Sequence, residues 1–154
     1  MITRLLPEQV ANFWDIIKYG IEETLPPVVG EHKDKMNRIL GSLLNGRLTC
    51  WASYRRENEQ IIFEGICVTT FSYDESSGTK DLLIYCVYGY NKTIKETWTD
   101  GYIPIAKYAK SHKCNRIIGY TDDPGVLEIV KMFGGKTRTF ISIDIDEYNK
   151  TIGG

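Results

Sequence analysis

Two short apolar runs, Leu82 to Tyr88 and Arg116 to Tyr120, flank a segment whose pattern is helical. Thr93-Ile94-Lys95-Glu96 matches a capping box, in which a threonine hydroxyl and a glutamate three residues on satisfy the first free N–H groups of a helix. Ile94, Trp98, Tyr102, Ile105, Ala106 and Ala109 then recur at helical spacing. Strand, helix, strand within this span is a crossover unit. A crossover joins parallel neighbours, because an antiparallel pair needs only a hairpin. Part of the sheet must therefore be parallel and covered by a helix. Gly101 and Pro104 fall inside that helix. Proline removes a helical hydrogen bond and crowds the preceding turn, so a kink or a break is expected there.

The rest of the chain fits around this unit. Ile2 to Leu5 reads as a short strand. Pro7 suits the first turn of a helix whose apolar face is Val10, Phe13, Trp14, Ile17 and Ile21, and Leu25-Pro26-Pro27 stops it. A second helix is expected from Glu31 to Leu44, with Met36, Ile39, Leu40, Leu43 and Leu44 as its stripe and Asn45-Gly46 as its stop. Leu48 to Tyr54 and Ile61 to Tyr73 read as strands joined by a charged turn, Arg56 to Glu59. Beyond the crossover, Asp122-Asp123-Pro124 supplies an N-cap and a first-turn proline, and Gly134-Gly135 ends that helix. Thr137 to Ile145 reads as a last strand with Ile141, Ile143 and Ile145 along one face. A polar, frayed tail is expected after Asp146. The order is meandering strands followed by β-α-β-α-β, an α/β class with a mixed sheet and helices on both faces. The 154 residues fit one domain.

A formal net charge of −1 argues against a general nucleic-acid binder, which carries a basic surplus to neutralise phosphates. No apolar h-region follows Met1, and no run approaches the ~18 residues that span a bilayer. A soluble, cytoplasmic protein without membrane partners is expected, and the N-x-T triplets at Asn91 and Asn149 then carry no glycan. Cys50, Cys67, Cys86 and Cys114 form no CxxC pair and read as unpaired thiols. With only His32 and His112 besides, no zinc spacing exists. Asp144, Asp146 and Glu147 lack the glycine and final glutamate of a calcium loop and read as a solvated edge, so no metal is expected. Trp14, Trp98 and Tyr102 are candidates for an acceptor pocket, although aromatics at helical spacing more often fill a core. His112 lies near a helix C-terminus, where its charge suits the dipole.

The element order is that of the GNAT N-acetyltransferase superfamily, and the last third carries the resemblance in motif. Ile105 to Ile118 resembles the end of that family's central helix running into its fifth strand. Thr121-Asp122-Asp123-Pro124 resembles its T-x-N-P turn, and Leu127 to Gly135 is similar to its next helix and terminal turn. The chain also resembles, in general character alone, small GNAT-like proteins encoded among the structural genes of tailed phages, which can be virion components. The superfamily resemblance implies acetyl-CoA as cofactor, bound where the fourth and fifth strands splay apart. It places the pantetheine along the backbone of Tyr85, Cys86, Val87 and Tyr88. It places the pyrophosphate on Gly89, Tyr90, Asn91, Lys92 and Thr93, where a helix N-terminus offers free N–H groups and a positive dipole end.

The sequence departs from that family's pattern at three places. Its glycine-rich loop, Q/R-x-x-G-x-G/A, is here Tyr88-Gly89-Tyr90-Asn91-Lys92-Thr93, with one glycine and with Lys92 as a compensating charge. The asparagine after the fifth strand is Asp123, a good cap but a poorer neighbour for phosphate. The tyrosine that protonates the leaving thiolate aligns with Val130, which carries no proton, so water must replace it. Thr93 reads first as a cap. Glu64, between Phe63 and Gly65, is the candidate general base for an amine if its side chain faces the splay; otherwise it is a solvated carboxylate. Two functions follow. The first is an acyl-CoA-dependent N-acyltransferase working by direct transfer to a small-molecule or protein amine, which needs no Cys/His dyad. The second is a non-catalytic module of the same fold whose partners are other structural proteins, as in a virion.

Overall fold

The computed structural model describes residues 2–146. In chain order the elements are β1 (Ile2–Arg4), α1 (Pro7–Asn12), α2 (Trp14–Glu23), α3 (Lys35–Leu44), β2 (Thr49–Glu57), β3 (Gln60–Asp74), β4 (Thr79–Gly89), α4 (Ile94–Ser111), β5 (Arg116–Gly119) and α5 (Pro124–Met132). The strands form one sheet in the order β1-β2-β3-β4-β5. The first four are antiparallel neighbours, while β5 runs parallel to β4, as the crossover requires.

Strand alternation divides the core into two layers. Cys50 and Ala52 of β2, with Ile66 and Val68 of β3, face a layer built on Val10, Ile17 and Ile21 of α1 and α2 and on Ile39 and Leu43 of α3. Trp51, Cys67, Leu82, Ile84 and Val87 point the other way and meet Ile105 and Ala109 of α4. Each layer satisfies one face of the sheet, which is why a central strand can be apolar on both faces. At the far end of β4 and β5, Arg116 grips the largely buried Asp81 with Nε and Nη2 at 3.2 and 2.7 Å. That fork fixes the register Asp81↔Arg116 from which the parallel pair starts.

Several boundaries differ from the sequence reading. The first helix is divided at Phe13, whose φ of −109° and ψ of 21° lie outside helical values, although its N–H still bonds the Gln9 carbonyl. Helix α3 begins only at Lys35, because the Asp34 N–H bonds the His32 Nδ1 in a turn. The charged turn is shorter: β2 runs to Glu57, and the hairpin turn is Asn58-Glu59 alone, with φ of 50° and 66°. Two consecutive left-handed residues make the two-residue turn that matches strand twist. Helix α4 is continuous through Pro104, so of the expected kink or break the break does not occur. The carbonyl deprived of its partner belongs to the exposed Asp100, where water can take the bond.

The largest correction concerns Thr137 to Ile145, which forms no strand. Helix α5 does end at Gly134-Gly135: Gly134 has a φ of +76°, and the N–H groups of Gly134 and Gly135 bond the carbonyls of Lys131 and Val130. The chain then leaves the sheet, and Ile141, Ile143 and Ile145 are 81%, 73% and 75% exposed. Alternation alone does not make a strand; it needs a neighbour to complete its hydrogen bonds, and among the described residues β5 has none on that side. The frayed tail expected after Asp146 lies outside the described residues.

All four cysteines are free, as expected; Cys50, Cys67 and Cys86 are buried and Cys114 is partly exposed. Burial pushes the Cys86 thiol up to about 12 and raises those of Cys50 and Cys67 as well. Alkylation of the native protein at mildly alkaline pH is therefore expected to label Cys114 alone, and unfolding to expose four thiols. Mass spectrometry of iodoacetamide-treated protein reads both counts, and more than one native label would contradict the burial.

Candidate functional site

The site begins with a fault in the β3–β4 ladder. Val68 pairs with Cys86 and Thr69 with Ile84, so Tyr85 is the extra residue of a bulge. Tyr85 and Cys86 consequently both turn toward the α1–α3 layer, while Ile84 and Val87 face α4. A bulge sharpens local twist and bends its strand. The β4–β5 pairing ends at this point, with Ile84↔Gly119 as its last rung. From Tyr85 to Gly89 the β5 side of β4 is open while the other side stays paired with β3 as far as Gly65↔Gly89. The expected splay is thus present, and Tyr85, Cys86, Val87 and Tyr88 lie along it.

Gly89 is required by packing. A Cβ there would lie 2.1 Å from the Lys92 carbonyl oxygen and 2.9 Å from the Thr97 Oγ1, and one on Gly65 would lie 2.8 Å from the Thr97 Cγ2. The two glycines face each other across β3 and β4, and the missing side chains let the first turn of α4 settle onto the sheet. The loop Tyr90-Asn91-Lys92 therefore folds back tightly. The Tyr90 N–H bonds the Glu64 carbonyl at 2.9 Å, and its hydroxyl donates to the Ile16 carbonyl at 2.6 Å. Burial raises the Tyr90 phenol, which stays a neutral donor. Tyr88 packs edge-on against Tyr19 at 5.8 Å and Tyr90 at 5.0 Å.

The start of α4 is capped as the sequence requires: the Thr93 hydroxyl accepts from the Glu96 N–H at 3.1 Å. Asp123 caps α5 in the same manner, accepting from the Val126 N–H at 3.1 Å. Helices α4 and α5 meet at these ends, where Lys95 lies against Gly125 and pairs with Glu128 at 3.5 Å. Two helix N-termini thus converge beside the open edge of β4, and their dipoles add positive potential there. Lys95 escaped the sequence reading because its position in a capping box hid its place between two helices. Val130, aligned with the family's acid, packs against Gly135 at the far end of α5: a Cβ on Gly135 would lie 2.6 Å from its Cγ1. Tyr120, directly after the last paired residue Gly119, stands at the β5 lip and packs edge-on against Phe140 at 5.5 Å.

Glu64 is also a bulge residue. Ser53 pairs with Gly65 and Tyr54 with Phe63, which leaves Glu64 as the extra residue of β3. Its carboxylate lies 3.9 Å from both the Arg55 Nη1 and the Lys92 Nζ, with about a quarter of the side chain exposed. Lys92 in turn bonds Asp100 at 2.5 Å, and that bond, more than any other influence, raises its pKa. The structure thus brings Glu64 and Lys92 together in one charged cluster, Arg55-Glu64-Lys92-Asp100. Among the described residues, no group of three or more His, Cys, Asp or Glu side chains is placed to hold a metal, and no helix is long and apolar enough to cross a membrane.

The three aromatic candidates do not form an acceptor pocket. Trp14 packs against the α1–α3 layer. Trp98 and Tyr102 border an apolar cavity of about 20 Å³ under α4, room for one water and no substrate, and Tyr102 stacks on Phe133 at 4.2 Å.

No protein-family model and no curated protein matches the sequence. Solved structures do. A probable acetyltransferase superposes with a TM-score of 0.68 at 11% identity, over 94% of this chain and 96% of that one. A predicted acetyltransferase with acetyl-CoA from Clostridium acetobutylicum gives 0.65 at 16% identity, over 96% and 97%. A ribosomal-protein-alanine N-acetyltransferase from Brucella melitensis biovar Abortus 2308 gives 0.61 at 10%, over 94% and 98%. At such identities the likeness speaks for the backbone alone: this chain has the GNAT acetyltransferase fold.

Proposed function

We propose that the protein is an acyl-CoA-dependent N-acyltransferase that moves an acyl group directly to an amine, on a small molecule or a protein. The observation that carries this reading is the coincidence of the Tyr85 bulge with the last β4–β5 rung, which leaves backbone groups from Tyr85 to Gly89 open beside two helix N-termini. Those residues fit acetyl-CoA: an extended, amide-bearing chain can pair with an open strand edge, and a pyrophosphate suits helix N-termini with Lys92 and Lys95 nearby. The bound cofactor would supply an activated acyl thioester. The chain's own groups do the rest. Backbone N–H groups of the open edge stabilise negative charge on an acyl oxygen. Glu64 takes the proton of the amine, directly or through water. Water replaces the acid that Val130 cannot be.

One observation favours a second reading, the non-catalytic module: Lys92 is committed to Asp100 and Glu64 rather than held ready for an anion. Calorimetric titration with acetyl-CoA separates the two. The loop has one glycine and a lysine already paired, so a Kd on the order of 100 μM, about −5.5 kcal/mol, is expected. Lys92→Ala is expected to weaken binding and flatten its salt dependence. Asp100→Asn is expected to tighten it, because the ammonium is released and a nearby negative charge is lost. No heat and no thermal protection at millimolar acetyl-CoA, in wild type and in Asp100→Asn alike, would leave the module.

A further inference from the structure

The apolar cavity of about 20 Å³ under α4 is too small for a whole substrate, but it is the size of one water or one methyl group. Ile84 and Val87 of β4, Ile117 of β5 and Trp98, Tyr102 and Ile105 of α4 form its walls. Thr97 brings a hydroxyl to it, and that hydroxyl already donates to the Thr93 carbonyl at 2.9 Å. A buried water needs two to four polar partners. Walls built from aliphatic and aromatic side chains suit a hydrocarbon group instead, and left empty they forgo the contacts that such a group would restore.

The cavity's position gives it a use. Ile84 is the last residue of β4 paired with β5, and Val87 belongs to the open stretch that follows. The cavity therefore adjoins the edge along which a thioester would be held. Trp98 stands at the boundary. Its indole reaches the last rung of β5, where a Cβ on Gly119 would lie 3.4 Å from the Trp98 Cη2 and 3.4 Å from the Ile84 Cβ. The opposite wall is braced, because Tyr102 stacks on Phe133 at 4.2 Å.

On the acyl-transfer reading, on which this rests, we propose that the cavity receives the end of the acyl chain, so that the preferred donor is propionyl-CoA rather than acetyl-CoA and Trp98 limits the length. The third carbon of a propionyl group fills the space of one methyl. A fourth carbon has no room: it must displace Tyr102 or Ile105, and overpacking offsets what its burial contributes.

Calorimetric titration of the wild type with free CoA and with acetyl-, propionyl-, butyryl- and hexanoyl-CoA reads the order directly and needs no acceptor amine. Propionyl-CoA is expected to bind roughly fourfold tighter than acetyl-CoA, the worth of one buried methylene at about 0.8 kcal/mol. Butyryl-CoA is expected to bind no tighter than propionyl-CoA. Trp98→Ala removes the indole, and in that variant butyryl- and hexanoyl-CoA are expected to gain about tenfold relative to acetyl-CoA, the order of selectivity one or two methylenes carry in an apolar pocket. The wild-type series decides alone if Trp98→Ala does not fold. Acetyl-CoA binding as tightly as propionyl-CoA, or affinity climbing steadily to hexanoyl-CoA in the wild type, would overturn the assignment and leave acyl transfer standing. If free CoA and all four thioesters fail to bind, the acyl-transfer reading falls, and the role of the cavity falls with it.

Discussion

Gly89→Ala is expected to lower acyl transfer on the order of 10²-fold while leaving the fold in place. The new methyl group would lie 2.1 Å from the Lys92 carbonyl oxygen and 2.8 Å from its carbon, and both belong to the backbone, so the loop from Tyr90 to Thr93 must move. Moving it lifts the first turn of α4, because Thr97 occupies the same space. The start of α4 is where a pyrophosphate would rest, and the strand edge before Gly89 is where the thioester would be held. A displacement of about 1 Å at such a place costs on the order of 10²-fold in turnover. The fold itself loses about 1–3 kcal/mol, the usual cost of an overpacked position, since Tyr90 of this loop packs against the α1–α3 core layer. Steady-state kinetics and thermal denaturation of the same preparation read the two effects. Full turnover in Gly89→Ala would show that the loop does not position the cofactor.

That expectation differs from the one the sequence suggests, and the reason is physical. Read in line, Gly89 is the survivor of a glycine-rich phosphate loop. In three dimensions it answers Gly65 across the strands, and neither residue's partner, Thr97, is adjacent in sequence. The parallel pairing of β4 and β5 was legible because a crossover between two apolar runs dictates it, while the open edge from Tyr85 to Tyr88 came from the resemblance to the acetyltransferase superfamily. The bulges at Tyr85 and Glu64 were not legible: a bulge is a mismatch between two strands, and one strand read alone shows only apolar alternation. The caps at Thr93 and Asp123 were legible because capping is local. The Lys92–Asp100 bond was not, since eight residues and a turn separate the partners. The 137–145 segment failed in the opposite way. Its pattern declared a strand, but a strand exists only where another edge receives it, and that edge is not decided by local sequence.

Glu64→Gln is the substitution on which enzyme and module part. Glu64 is the unpaired residue of a bulge, and its carboxylate is turned toward Arg55 and Lys92 rather than spread into solvent. Glutamine keeps its size and reach but accepts no proton. A general base contributes about 10²–10⁴-fold to proton transfer, so kcat is expected to fall by that order. Acetyl-CoA affinity should stay within a few-fold of wild type, because Asp100 still orients Lys92. Stability should change by less than about 1 kcal/mol, the ordinary worth of a partly exposed ion pair. A structural role predicts a different reading: turnover and cofactor affinity would shift together. The base assignment requires that kcat fall with cofactor affinity held, and that Glu64→Asp, which keeps the carboxylate, restore part of the turnover. If kcat survives Glu64→Gln, the proton leaves by another route and Glu64 serves only to hold Arg55 and Lys92.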